Sequence, residues 1–220
     1  MSTPDRDLRV LVLGASLSST SLNNRLAAFA AGLITKNGGK SDLATIADFD
    51  CPFYDHDIEV EAGPPVGAHR FCERLKAADA LIVASPEYNS SMPAAIKNLI
   101  DWVSRFRPQP FNGKQALLMS ASPSMVGGNR GLWALRVPFE HLGTRVYPDM
   151  FSLAQAHQAW DGDTLKEAAV QERLDRTLGC FLELVEATKH YPRIKKVWVE
   201  FLGEHPNAAT DRIEESEEAA

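Results

Sequence analysis

The first segment that could perform chemistry is a serine-rich loop over residues 14–23, GASLSSTSLN. It holds hydroxyl groups at Ser16, Ser18 and Ser21 and an amide at Asn23, and an amphipathic stretch that predicts a helix follows it. Unpaired N–H groups at a helix start, together with such side chains, can bind a dianionic phosphate. The spacing is neither GxGxxG nor GxxxxGK(S/T), which argues against a dinucleotide fold and a nucleoside triphosphatase. The alternative is an ordinary turn that caps a helix.

A second polar loop, residues 85–93, could bind the edge and face of a heteroaromatic ring. Pro86, Glu87, Tyr88 and Asn89 provide an aromatic ring, an amide and free backbone groups directly after an apolar strand. The alternative for Tyr88 is a surface aromatic residue without a ligand.

A third loop, residues 120–130, combines Ser122 with the pair Gly127-Gly128 shortly before a predicted helix. Glycine has no Cβ atom, so the backbone can approach a flat ligand closely at these positions. The alternative is a plain turn at the start of a helix.

The three loops belong to a repeating order of strand, loop and helix. Predicted strands cover residues 8–13, 41–46, 80–84, 116–120 and 145–150, and predicted helices cover residues 22–34, 66–77, 93–106, 130–141 and 164–187. Continuous apolar strands that alternate with helices predict an α/β fold with a doubly wound parallel sheet covered on both faces. Ligands of such sheets bind at the carboxyl ends of the strands, where the three loops lie.

The remaining segments are consistent with one domain. Residues 48–65 contain acids and prolines and are predicted to form an extended loop, and residues 194–202 resemble a short helix. We expect a single domain over residues 1–203. The acidic tail, residues 204–220, is expected to be disordered because it cannot bury enough apolar surface.

Composition excludes several classes of function. The 220 residues include 45% hydrophobic positions and have a net charge of −6, without a basic stripe, so no nucleic-acid partner is expected. No apolar run approaches the length that spans a bilayer, so we expect neither a transmembrane helix nor a signal peptide, no membrane contact and a cytoplasmic location. Cys51, Cys72 and Cys180 lack metal-ligand spacing, and we assign no disulfide, zinc site or other metal site. The six histidines receive no catalytic or metal role.

The second loop and the helix after it contain the most specific pattern in the chain. Pro86-Glu87-Tyr88-Asn89 is followed in order by Pro93, Lys97-Asn98 and Asp101-Trp102. This pattern resembles that of the NADPH-dependent FMN reductase family of flavodoxin-like proteins, which includes bacterial quinone, chromate and azo-dye reductases. The first loop resembles the family at Gly14, Ser16, Ser21 and Asn23, and the third at Ser122 and Gly127-Gly128.

The resemblance implies a flavodoxin-like, five-stranded parallel sheet in a three-layer α/β/α arrangement, with FMN as the cofactor. Ser16, Ser21 and Asn23 would bind the phosphate. Residues 86–89 would flank the isoalloxazine on one side, and Ser122 with Gly127-Gly128 on the other. Ser18 stands where family members commonly have an arginine, and loss of a charge-assisted contact there weakens binding by roughly 1.5–3 kcal/mol.

The resemblance also implies an oxidoreductase in which the flavin itself performs the chemistry, without a catalytic side chain. NADPH or NADH would reduce the flavin and leave, and a small-molecule electron acceptor would then reoxidise it in a two-step exchange. Quinones, azo compounds, metal oxyanions and free flavin are the candidate acceptors. Family members assemble as dimers or tetramers, so a homodimer or homotetramer is expected, with residues 93–106 and 55–61 as candidate contact segments.

Two other functions stay open at this point. One is an FMN-binding electron carrier or redox sensor that does not turn over NAD(P)H. The other is a flavin-free relative of the same fold, for which Ser18 is the supporting feature.

Overall fold

The computed structural model describes residues 6–202, with side chains described as far as residue 189. Its centre is a parallel sheet in the order β2-β1-β3-β4-β5, with β6 also paired to β4. The strands are β1 (Arg9–Gly14), β2 (Lys40–Thr45), β3 (Ala80–Ala84), β4 (Gln115–Ala121), β5 (Arg145–Val146) and β6 (Phe151–Leu153). The direction of winding reverses between β1 and β3. A ligand site is expected at this point in a doubly wound sheet.

The fifth position in the sheet is filled by two short strands instead of one. Strand β5 pairs with the start of β4, and β6 pairs with its end. Residues 147–150, which separate them, include Pro148, and proline lacks the N–H group that a ladder needs. The prediction of one strand over residues 145–150 is therefore wrong, although the sheet has the five positions that were expected.

Helices cover both faces of the sheet. They are α1 (Leu22–Lys36), α2 (His56–Ala62), α3 (Val66–Lys76), α4 (Ala94–Val103), α5 (Asn129–His141) and α6 (Ala168–Leu202). Two buried clusters fill the layers, one between the sheet and α1 with α6, the other between the sheet and α3, α4 and α5. Strands β3 and β4 are buried along their whole length because both faces contact helices.

The segment predicted to be an extended loop contains helix α2. Asp55 caps its start by accepting a hydrogen bond from the Asp57 N–H group at 2.8 Å, and Gly63 ends it at φ +72°. None of its residues is buried, so it has no apolar face that would have predicted it. A 3-10 helix, Ile46–Phe49, also lies here.

Two other differences lie towards the C-terminus. Strands β7 (Trp160–Asp161) and β8 (Thr164–Leu165) form a small antiparallel hairpin, so the last helix begins four residues later than expected. Helix α6 continues through residues 194–202, which were predicted as a separate piece. The predicted boundary at residue 203 and the tail over residues 204–220 lie outside the described residues. No helix among those that are described is long and apolar enough to cross a membrane.

Candidate cofactor site

The three polar loops meet at one edge of the sheet. They follow β1, β3 and β4, which are neighbours, so all three leave the carboxyl ends of adjacent parallel strands. Backbone bonds connect the first two loops to the neighbouring strands: the Ala15 N–H donates to Ala84 O in β3 at 2.9 Å, and the Ser85 N–H donates to Met119 O in β4 at 2.9 Å. The structure thus brings together the loops that contain all the residues predicted to contact a cofactor.

The first loop ends in a regular helix cap. Ser21 is the N-cap residue of α1, and its Oγ accepts hydrogen bonds from the N–H groups of Asn23 and Asn24, both at 3.2 Å. The first turn of α1 contains no acidic residue, so the positive end of its dipole is not neutralised there.

Backbone donors are available in the middle of this loop. Within the described part of the chain, the N–H groups of Ser16, Leu17 and Ser19 have no protein acceptor. Ser16 is buried, and its Oγ accepts from the Ser18 N–H at 3.3 Å, while exposed Ser18 contacts Thr20. No lysine or arginine side chain hydrogen-bonds to residues 14–21 among the described residues. The loop can bind a phosphate through N–H and hydroxyl groups but offers no cation.

Asn23 connects the first loop to the third. Its side chain is 4% exposed, Nδ2 donates to Ala121 O at 2.9 Å, and Oδ1 accepts from the Ala121 N–H at 2.8 Å. Both polar ends of the amide are therefore used by the backbone at the end of β4. This arrangement lets Asn23 set the position of the first loop relative to the third.

The second loop is a tight two-residue hairpin. Tyr88 and Ser91 exchange backbone hydrogen bonds at 2.9 and 3.0 Å, and Asn89 and Ser90 between them have φ values of +51° and +62°. Two consecutive positive φ values are typical of a type I′ turn, in which asparagine is favoured. Tyr88 is 54% exposed at this edge.

The carboxylate of Glu87 contacts protein groups. Its Oε1 accepts from Arg130 Nε at 2.8 Å, its Oε2 accepts from the Gly131 N–H at 3.1 Å, and the side chain is 9% exposed. Burial by itself raises the pKa of Glu87, but the hydrogen bonds from Gly131 and Arg130 outweigh it, and the pKa is lowered. Sequence reasoning did not single out Arg130 or Gly131 as partners, because nothing local signals a contact across 44 residues.

The motif residues on α4 hold a neighbouring segment. Asn98 Oδ1 accepts from the Tyr54 N–H at 2.7 Å, and Asn98 Nδ2 donates to Pro52 O at 2.9 Å. Trp102 is fully buried, and its Nε1 donates to the same Pro52 carbonyl at 2.8 Å. These two residues therefore fix the chain after β2 beside α4.

The third loop packs so closely that it requires glycine. Gly127 and Gly128 have φ values of +67° and +82°, and a Cβ atom on Gly128 would overlap Ser120 Oγ. A Cβ atom on Gly127 would lie 3.0 Å from Ser152 Cβ. Ser122 donates its N–H to Leu153 O at 3.1 Å. The Gly128 N–H has no acceptor among the described residues.

These groups fit a flavin mononucleotide. The first loop offers free N–H groups and a helix start for a phosphate. The second and third loops offer the N–H groups of Asn89 and Gly128, which have no acceptor within residues 6–202, for the polar edge of a planar ring. Gly127 and Gly128 have no side chains, so a planar ring could approach the backbone of the third loop closely at these two residues.

Comparison with known proteins places the chain among flavin reductases. Residues 8–158 match the family model described as NADPH-dependent FMN reductase. The chain is 42% identical over 130 residues to an NAD(P)H-dependent FMN reductase of Pseudomonas aeruginosa, an alignment that covers 59% of this chain and 68% of the relative. It is 36% identical over 129 residues to a quinone reductase of Escherichia coli, with coverage of 59% and 68%.

Solved structures agree with this placement. FerB, a flavoenzyme NAD(P)H:(acceptor) oxidoreductase from Paracoccus denitrificans, superposes with a TM-score of 0.71 at 28% identity, covering 82% of this chain and 98% of FerB. Oxidised flavodoxin 1 from Bacillus cereus shares the fold alone, with a TM-score of 0.53 at 14% identity, 80% of this chain and 97% of flavodoxin being covered. The fold, the three joined loops and the match over most of the described chain lead to one conclusion. This protein belongs to the NADPH-dependent FMN reductase family.

Proposed function

We propose that this protein is an NAD(P)H-dependent FMN oxidoreductase that passes electrons from a nicotinamide donor to a small-molecule acceptor. The observation that supports this most directly is the meeting of three polar loops at the winding reversal of the sheet, in a chain of the FMN reductase family. Relatives named FMN reductase and quinone reductase support the same reaction class.

The first loop is proposed to bind the FMN phosphate. Ser16 and Ser21 would contribute hydroxyl groups, and the unpaired N–H groups of Leu17 and Ser19 would contribute backbone donors. Asn23 would act by holding this loop against β4, because its amide is already bonded to Ala121. Ser18 would leave the phosphate without the cation that family members commonly provide.

The second and third loops are proposed to bind the ring. Pro86, Tyr88 and Asn89 would lie along one side, and Ser122 with Gly127-Gly128 along the other. FMN bound here supplies the hydride and electron chemistry, so no side chain needs to act as a catalytic acid or base. The protein binds and orients the ring, and its backbone N–H groups donate hydrogen bonds at the polar edge.

The test of this function is an absorbance titration. The purified protein is mixed with FMN, reduced anaerobically with NADPH or NADH, and then given a quinone. Flavin bands that bleach with the nicotinamide and return with the quinone are the expected result, and steady-state data should give parallel lines. Reduction by dithionite but not by either nicotinamide would instead identify an electron carrier. Failure to bind excess FMN would identify a flavin-free relative and refute the proposal.

We also propose that the protein works as a homodimer or homotetramer. Trp133 and Val137 lie one turn apart on α5 and are 57% and 70% exposed, and Phe53 and Val60 near α2 are 80% and 74% exposed. Exposed apolar side chains in such groups are typical of protein contacts. Sedimentation that shows a monomer at micromolar concentration would refute this.

A further inference from the structure

Helix α5 has no cap of its own. Its N-cap residue is Gly128, in the left-handed conformation, and no side chain at this position caps the helix. A Ser, Thr, Asp or Asn at the N-cap normally satisfies one of the unpaired N–H groups at a helix start. Gly128 cannot be replaced by such a residue, because a Cβ atom there would overlap Ser120 Oγ. A side-chain cap for α5 can therefore come only from a residue other than its N-cap residue.

Glu87 provides that cap from the second loop. Its Oε2 accepts from the N–H of Gly131, the third residue of α5, at 3.1 Å, and its Oε1 accepts from Arg130 Nε at 2.8 Å. A carboxylate also interacts favourably with the positive end of the helix dipole. The contact is close, since a Cβ atom on Gly131 would lie 3.1 Å from Glu87 Cα. One side chain thus joins the two loops proposed to bind the ring.

We propose that Glu87 is a positioning residue for the flavin, which holds the third loop against the second by capping α5 from outside the helix. This inference rests on the proposed function, and it gives Glu87 an indirect role instead of the direct ring contact expected from the resemblance. Without the cap, the start of α5 opens more often, and Gly127-Gly128 at its beginning lose their fixed position. The apparent Kd for FMN then rises by the factor by which the binding-competent population falls.

The test uses two substitutions of Glu87 that are similar in size, one substitution of Arg130 and one control. Glu87→Met removes the acceptor, and Glu87→Gln keeps a neutral acceptor for the Gly131 N–H. Arg130→Met removes the ion pair and leaves the cap. Glu140→Ala is the matched control, because Glu140 forms an exposed ion pair with Arg136 on the same helix, away from the loops. FMN affinity is measured by fluorescence titration, and hydrogen exchange of residues 129–132 is measured in the cofactor-free proteins.

The expected results separate the cap from the ion pair. Glu87→Met should accelerate exchange at residues 129–132 by about tenfold. It should raise the Kd for FMN by a smaller factor, about three- to fivefold, because exchange follows the open population whereas the Kd follows the decrease in the closed population. Glu87→Gln and Arg130→Met should stay within about twofold of the parent in both measurements, and Glu140→Ala should match the parent.

Three results would overturn the inference. The first is an unchanged Kd in Glu87→Met, and the second is a raised Kd without faster exchange, which would indicate direct ring contact. The third is a loss in Arg130→Met or Glu87→Gln equal to that in Glu87→Met. A parent protein that does not bind FMN would refute the proposed function itself, and this outcome is distinct from a Glu87→Met variant that binds FMN as tightly as the parent does.

Discussion

The bond between Asn23 and the end of β4 gives the most quantitative prediction. The Asn23 amide makes two hydrogen bonds to Ala121, and both residues are at most 4% exposed. Asn23→Ala removes both bonds and leaves the N–H and C=O of Ala121 buried without partners. We expect this substitution to destabilise the junction between the first and third loops.

The expected decrease in the free energy of unfolding follows from these two backbone groups of Ala121. Each buried polar group left unpaired costs about 1–3 kcal/mol, which gives about 2–6 kcal/mol for the pair. Because the pair lies at the end of the strand beside the loops, we take the lower half of this range, about 3 kcal/mol. For a chain of this size, about 3 kcal/mol corresponds to a decrease in Tm of about 6–12 °C.

The assay is urea unfolding of the cofactor-free protein, with Asn37→Ala as the control. Asn37 is an asparagine at the other end of α1, and its Nδ2 makes one hydrogen bond, to Leu33 O at 2.8 Å, in a half-buried position. Its loss should cost about 1 kcal/mol. A free-energy loss in Asn23→Ala no larger than that in Asn37→Ala would refute the reasoning. The same variant should also bind FMN more weakly than Asn37→Ala.

Other substitutions and reactions test single features of the site and core. Ser18→Arg should lower the Kd for FMN by about ten- to a hundredfold in a fluorescence titration, because it adds a charge-assisted contact; an unchanged Kd would contradict the role given to this position. Gly128→Ala should lower the free energy of unfolding in urea by about 2–4 kcal/mol. Gly179→Ala is the control and should be neutral or stabilising, because a Cβ atom there meets nothing within 4 Å. Equal effects of the two substitutions would refute the close-packing argument. Exposed Cys180 should be alkylated before Cys51 at pH 8, because burial raises the pKa of Cys51 to about 11. Below that pKa, the rate of Cys51 alkylation should increase about tenfold per pH unit. The rates are measured by peptide mass mapping, and equal rates for the two cysteines at pH 8 would contradict the prediction.

Much of this protein can be predicted from its sequence because the signals are local. The runs in β1, β3 and β4 are apolar without interruption, which predicts strands buried on both faces of a parallel sheet. Each loop lies directly after such a strand, so the order of elements alone predicts that the three loops share the carboxyl edge. The pattern that begins at Pro86 then identifies the family, which the match over residues 8–158 confirms.

Only the tertiary structure shows how those loops are held together. The Asn23 amide reaches Ala121 across 98 residues, and the Glu87 carboxylate reaches Gly131 across 44 residues. No periodicity or local motif encodes such bonds, because they form only after the sheet has brought the two backbone segments to one edge. Helix α2 was missed for a related reason: it buries none of its residues, so no apolar periodicity marks it in the sequence, and its cap at Asp55 is visible only in the structure. The sequence by itself determined which residues gather at the edge, and tertiary contact decided which of them, such as Asn23 and Glu87, are bonded to distant protein groups and hold the loops together.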